Sequence, residues 1–207
     1  MKKNNLYIDL HVLQTVPPSC VNRDDTGSPK TALYGGVTRA RVSSQSWKHE
    51  MRKLFSEMLT EAELGYRTKR IVGLVADEIL KLSTDFDAEK SATDALTKAG
   101  LKIKSADKGT DALFFMSRAQ AAELARLAVA GESEAKKYKE ALKNTPSLDM
   151  ILFGRMVADD PTLNFDAAAQ VAHAISTHEV RNEYDYFTAV DDCSPEDNAG
   201  AGHLGTV

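Results

Sequence analysis

Residues 22–53 read NRDDTGSPKTALYGGVTRARVSSQSWKHEMRK. Gly27 and the Gly35-Gly36 pair, among Asp, Thr, Ser and Pro, mark loop and turn. "VTRARVS" then alternates as a strand does and puts Arg39 and Arg41 on one side. Ser43 or Ser44 is placed to cap a helix. Beyond it, Trp47, Met51, Leu54, Phe55 and Met58 recur at spacings of three and four, which makes an apolar helical stripe. Gln45, Lys48 and Arg52 form a separate polar stripe, about 110° around the same helix. A strand therefore feeds a capped helix through a basic junction.

The junction stands out against the rest of the chain. The 207 residues carry a formal charge of −4, which argues against nucleic-acid binding by bulk charge. Residues 1–53 nevertheless hold nine Lys or Arg against four Asp or Glu, a balance of +5, and residues 54–207 hold 17 against 26. Local charge, not the average, makes a footprint for phosphate. An apolar share of 43% is enough for a packed core in one large or two small domains. Cys20 and Cys193 are the two cysteines and form no CxxC pair, which does not suggest a secreted disulfide scaffold. No stretch approaches 18 apolar residues, and the N-terminus has no signal-peptide pattern, so the expected compartment is a reducing cytoplasm with no membrane partner.

Upstream, "LYIDLHVL" alternates, with Leu6, Ile8, Leu10 and Val12 on one face, and predicts a half-buried strand ended by Pro17-Pro18. Downstream, residues 66–143 are expected to be mostly helical, with helices in "RTKRIVGLVADEILKL", "MSRAQAAELARLAVA" and "SEAKKYKEALKN". "KAGLKIKSADKGTDALFF" reads as a loop with a short strand, and "DMILFGRMVADDP" as an apolar segment entering a loop. "FDAAAQVAHAISTHEV" predicts a buried Ala-rich helix capped near Asp166, and "EYDYFTAVDD" a strand. The chain then ends in turn formers with only the start of a return strand, so a truncated chain or one part of a longer protein is expected.

Metal and catalytic signals are weak. His173 and His178 lie about 140° apart on a helix and share no face. Asp24-Asp25, Asp159-Asp160 and Asp191-Asp192 could bind Mg²⁺, but Asp is common in loops for turn reasons. No GxSxG elbow or P-loop is present. No cofactor is expected. At the basic junction, the helix start, Gln45, Lys48 and Arg52, with Arg39 and Arg41 on the strand before it, have the chemistry to hold two or three phosphates; a merely solvated basic face is the other reading.

"IDLHVLQTVPPSCVNRDDTGSPKTALYGGVTRARVSSQSWK", with "FGRM" at 153–156 and "VAHAISTHEV", "YDYFTAVDD" and "AGHLGT" across 171–206, resembles the CasC family, the multi-copy backbone subunits of type I-E CRISPR Cascade. The resemblance covers roughly the first half of a longer family member, and residues 57–145 match only in being helical. It implies an α+β fold. A palm related to the RNA-recognition motif, ferredoxin-like, would comprise 1–55 and 145–190; helical fingers would occupy 56–144 and the start of a thumb hairpin 191–207. It also implies a non-enzymatic scaffold that holds guide RNA by its sugar and phosphate and leaves base edges free to pair with target DNA. Neighbouring copies and other Cascade subunits would be its partners.

By position, the resemblance implies guide-backbone contacts at Arg23, Ser43, Gln45, Lys48 and Arg52. Met156 would be an apolar wedge beside a displaced nucleotide, with Phe187, Thr188 and Leu204 at thumb positions. The alternative is a metal-dependent ribonuclease like the type III backbone subunits, with Asp24 or Asp25 in the comparable loop.

Overall fold

The computed structural model describes residues 6–85, 87–190, 193 and 200–206, and the side chains of 187–190 and 200–206 are outside the description. The chain divides into two compact units, one of residues 1–46 with 173–207 and one of residues 47–172.

In the first unit, β1 (Thr31–Tyr34) and β2 (Val37–Val42) form an antiparallel hairpin with Tyr34 opposite Val37. Gly35 and Gly36 make the two-residue turn at φ 67° and 82°, the left-handed geometry that matches strand twist and that glycine adopts without strain. The short β5 (Ala174–Ile175) adds to the other edge of β2, with Arg41 opposite Ile175. A separate antiparallel ribbon pairs β6 (Tyr184–Val190) with β7 (Gly200–Thr206).

The second unit is built on helices. After α1 (Ser44–Met58), which begins in the first unit, come β3 (Gly65–Thr68), α2 (Ile71–Leu82), α3 (Ala88–Lys98), β4 (Phe114–Ser117), α4 (Arg118–Val129), α5 (Ala135–Ala141) and α6 (Leu148–Phe153). β3 and β4 pair antiparallel, and α2, α3, α4 and α5 enclose a core of Ile71, Val75, Ile79, Leu96, Met116, Leu124, Tyr138 and Leu142. Each of these side chains is buried, and full burial of such a residue is worth about 1.5–3 kcal/mol. Ser117 and Gln120 close a reciprocal capping box at the start of α4, which the S-x-x-Q pattern encodes.

Two expectations are corrected. Residues 6–13 form no strand, and Leu6, Tyr7, Ile8, Leu10, Val12 and Leu13 are each more than three-quarters exposed. Alternation prepares a strand, but a strand exists only against a partner ladder, and none meets this segment among the described residues. Residues 166–180 form no helix either. Within the second unit, the Ala168 and Ala169 amides donate to the Ile151 and Leu152 carbonyls at 2.9 and 3.0 Å. Within the first, the Ser176 and Val180 amides donate to Ala40 and Thr38, each at 2.9 Å. These amides are committed to distant carbonyls, and such tertiary pairing outweighs the modest helix preference of alanine.

Candidate nucleic-acid interface

The loop at 22–30 is built around Asp24. Its carboxylate accepts from the Thr26 amide (2.9 Å), the Thr26 hydroxyl (2.7 Å) and the Ser28 amide (2.9 Å). The Thr26 hydroxyl bond, ahead of the backbone ones, holds its pKa below the usual carboxylate value. Arg23 donates from Nη1 to the Gly27 carbonyl at 2.7 Å. The Lys30 amide donates to the Asn22 carbonyl at 2.8 Å, which joins the loop's two ends. Asp25 is exposed.

Asn22 ties this loop to the start of α1, since its Oδ1 accepts from the Ser43 amide at 3.0 Å. Ser43 is 3% exposed, and its hydroxyl accepts from the Ser46 amide at 3.3 Å, the N-cap bond of α1. The Ser44 amide donates to Nδ1 of His173 at 3.4 Å. Two of the first helical amides thus already have side-chain acceptors. The helix start is less open to phosphate than its sequence suggests, and the Ser43 hydroxyl is taken up in capping. Neither Asn22 nor His173 was singled out for this work by sequence, because a cap that comes from a distant loop leaves no local spacing signal.

Arg39 holds the sheet together. Its Nε donates to the Tyr34 carbonyl and its Nη1 to the Ser176 carbonyl, both at 3.0 Å. Arg41 is half-buried, with an Nε that has no hydrogen-bond partner among the described residues.

Further along α1 the polar stripe divides by role. Gln45 is exposed, and Lys48 is half-buried with its ammonium 5.7 Å from the Phe153 ring centroid. Phe153 in turn stacks on Phe55 at 6.0 Å. No carboxylate lies within ion-pair reach of Lys48 among the described residues. Arg52 is engaged instead. Its Nε donates to Oδ2 of Asp149 at 3.0 Å, its Nη2 donates to the Gly65 carbonyl at 3.1 Å, and its guanidinium lies 4.7 Å from the Phe115 ring centroid. The other Asp149 oxygen accepts from the Gly65 amide at 3.0 Å. Gly65 is needed there, because a Cβ would come within 2.5 Å of the Ser147 hydroxyl and 2.6 Å of the Phe115 ring.

Met156 stands at the opposite extreme. It is 85% exposed, while its neighbour Arg155 is 4% exposed. Arg155 donates to the carbonyls of Leu163 (2.9 Å), Phe115 (3.1 Å) and Leu142 (2.8 Å), and to Oε1 of Gln120 (3.3 Å). Burial lowers its pKa to about 10, so it stays charged at neutral pH. Backbone pairing of Arg155 with Phe165 completes the clamp and leaves Met156 projecting.

In the β6–β7 ribbon, Phe187 pairs with His203, Thr188 with Gly202, and Leu204 with Tyr186. Of the remaining acidic pairs, Asp159 meets Lys102 at 3.7 Å. Asp160 meets Lys139 at 2.6 Å and caps the turn at Pro161–Leu163, and the Lys139 bond contributes most to lowering its pKa to about 2. Asp191 and Asp192 lie outside the described residues. Among the described residues no three His, Cys, Asp or Glu side chains converge as for a metal ion, and no helix is long and apolar enough to cross a membrane.

This mixed α/β chain with small antiparallel sheets, a capped basic helix start and a projecting Met156 is similar to chains of CRISPR RNA-guided surveillance complexes. A solved chain described as "CRISPR RNA-guided surveillance complex, pre-nicking" is similar at 33% identity and a TM-score of 0.71, over 91% of this chain and 57% of that one. A second, from a "CRISPR RNA-guided surveillance complex", is similar at 32% identity and a TM-score of 0.62, over 80% of this chain and 57% of that one. The chain belongs to the CT1975-like protein family, whose sequence pattern matches residues 8–207. It spans 57% of the length of the solved chains. No curated protein matches it.

Proposed function

We propose that the chain is the guide-holding part of a type I-E Cascade backbone subunit, with an RNA-recognition-motif-like palm, and that it binds guide RNA through sugar and phosphate without regard to sequence. The similarity to RNA-guided complexes over 91% of the chain carries this reading. Arg23, Gln45 and Lys48 supply donors to the backbone. Ser43 and Arg52 act as positioning residues, one capping α1 and the other anchoring it to Asp149. Met156 is the wedge: an apolar side chain held 85% exposed by a buried neighbour is shaped to rest against something outside the chain. Phe187, Thr188 and Leu204 contribute from the ribbon. Neighbouring copies, other Cascade subunits and target DNA complete a cytoplasmic, non-catalytic assembly. The three hydrogen bonds into Asp24 support a loop-building role for that carboxylate rather than the catalytic role of the ribonuclease reading.

Met156→Ala is expected to leave guide affinity within about twofold, since one apolar contact is small beside many phosphate contacts. It should instead change the chemical-probing reactivity of the guide at periodic nucleotides. An unchanged probing pattern would remove Met156 from the interface. Lys48→Ala should lower the slope of log affinity against log salt by about 0.7, one phosphate on a single strand. An unaltered slope would show that Lys48 touches no phosphate.

A further inference from the structure

Resting on the guide-RNA reading, we propose that Asn22 is a positioning residue. Its side chain locks the loop that carries Arg23 onto the start of α1, so that Arg23 and Gln45 present their donors to one strand at a fixed spacing.

Two sets of bonds hold the loop at 22–30, and they do different things. The first set lies inside it. The Asp24 carboxylate gathers Thr26 and Ser28. The Asp24 amide donates to the Ser28 carbonyl at 2.9 Å, and the Gly27 amide to the Asp24 carbonyl at 3.2 Å. Arg23 pairs with Pro29 across the loop. These bonds set the loop's shape but do not fix where the loop sits. Its place is set at Lys30 and Asn22. The Arg41 amide donates to the Lys30 carbonyl at 2.9 Å, which extends the β1–β2 ladder by one step. The Lys30 amide returns to the Asn22 carbonyl at 2.8 Å, and the Asn22 side chain then crosses to the Ser43 amide at 3.0 Å. One residue thus closes the loop with its main chain and ties it to α1 with its side chain.

The tie is held by burial. Ser43 is 3% exposed, and a buried amide N–H left without an acceptor is costly. That N–H also fixes which way the Asn22 amide faces, because only its oxygen can accept. The next amide, on Ser44, is held by His173 from a different segment. Arg23 and Gln45, on either side of the Asn22–Ser43 bond, are both exposed. Donors that must be ordered on binding give up affinity to that ordering, and donors fixed beforehand do not.

The test is fluorescence anisotropy of the 207-residue chain with single-stranded RNA of arbitrary sequence across about 50–200 mM salt. Asn22→Ala should weaken binding about tenfold and lower the salt slope by about 0.7, one phosphate on a single strand. Arg23→Ala should do the same. The two together should still lose about 0.7 rather than about 1.4, because Asn22 acts through Arg23. Asn22→Ala with Lys48→Ala should lose about 1.4, since Lys48 lies beyond the cap and makes its own contact. Asn22→Asp keeps an acceptor for Ser43. It should retain the parent's slope, with affinity lowered by less than about fivefold through the added charge. The helical circular dichroism melt reports residues 47–172 and should be the parent's throughout, so a weakened grip is not unfolding. Additive losses for Asn22 with Arg23, or a parent-like slope for Asn22→Ala, would overturn the proposal. So would a loss for Asn22→Asp as large as that for Asn22→Ala. In each of these cases the parent still binds RNA and the guide reading stands. A parent that binds no RNA would sink both.

Discussion

Arg155→Ala is expected to destabilise the helical unit by about 4 kcal/mol or more, the largest effect of any single change considered for this chain. The side chain is 4% exposed and donates to the Leu163, Phe115 and Leu142 carbonyls and to Gln120 Oε1. Leu142 keeps a second donor in Gln120 Nε2 at 2.8 Å and Gln120 Oε1 keeps the Ser117 amide at 3.2 Å, so the loss falls chiefly on Leu163 and Phe115. Each buried acceptor left without a donor costs about 1–3 kcal/mol. The loss of packing against Phe114 and Phe165, whose ring centroids lie 4.9 and 4.8 Å from the guanidinium carbon, adds to this. Arg155→Met should fail nearly as badly, because the acceptors stay buried when the charge is removed. Arg155→Lys should recover part of the loss, since three ammonium donors cannot reach four acceptors set for a planar fork. Urea unfolding followed by far-ultraviolet circular dichroism reads this directly, as the helices lie almost wholly in residues 47–172. A midpoint for Arg155→Met equal to the parent's would show that the carbonyls find other donors.

Arg52→Ala is expected to cost about 3–5 kcal/mol, because it strands a carboxylate that is 2% exposed at the side chain. Asp149→Asn should cost less, since the amide keeps an acceptor for Gly65 while it loses the charge pairing with Arg52. The double variant Arg52→Leu with Asp149→Leu should be more stable than Arg52→Ala alone, as removal of both partners leaves no buried charge. A double-mutant cycle over these substitutions checks the coupling. Additive losses would mean that Arg52 and Asp149 do not depend on each other, and Arg52 would then be free for phosphate. If the coupling holds, a fall in RNA affinity for Arg52→Ala follows from a loosened α1 and not from a lost contact.

The parts of the fold that were legible in the sequence are those specified locally. The β2-to-α1 passage, with its cap at Ser43, and the helices at 71–82 and 118–129 and the strand at 184–190, by their periodicity, follow from residues that lie close together in the chain. The segments at 6–13 and 166–180 were misread for opposite reasons. The first has strand alternation but pairs with no strand among the described residues. The second has helix-favouring alanines whose amides are committed to Ile151, Leu152, Ala40 and Thr38. At the candidate site, Gln45 and Lys48 could be placed on a helix face from spacing alone. The work done by Ser43, Arg52 and Arg155 could not, because a buried polar residue has the same letter as an exposed one. Its role appears only when Asn22, Asp149 or Gln120, far away in sequence, is brought beside it.

The most direct test of the central claim compares the affinity of the chain for several RNAs of equal length and unrelated sequence at one fixed salt concentration. Recognition through sugar and phosphate predicts dissociation constants that agree within about twofold and share one salt slope. An affinity that follows base sequence, with a discrimination of tenfold or more between RNAs, would contradict it.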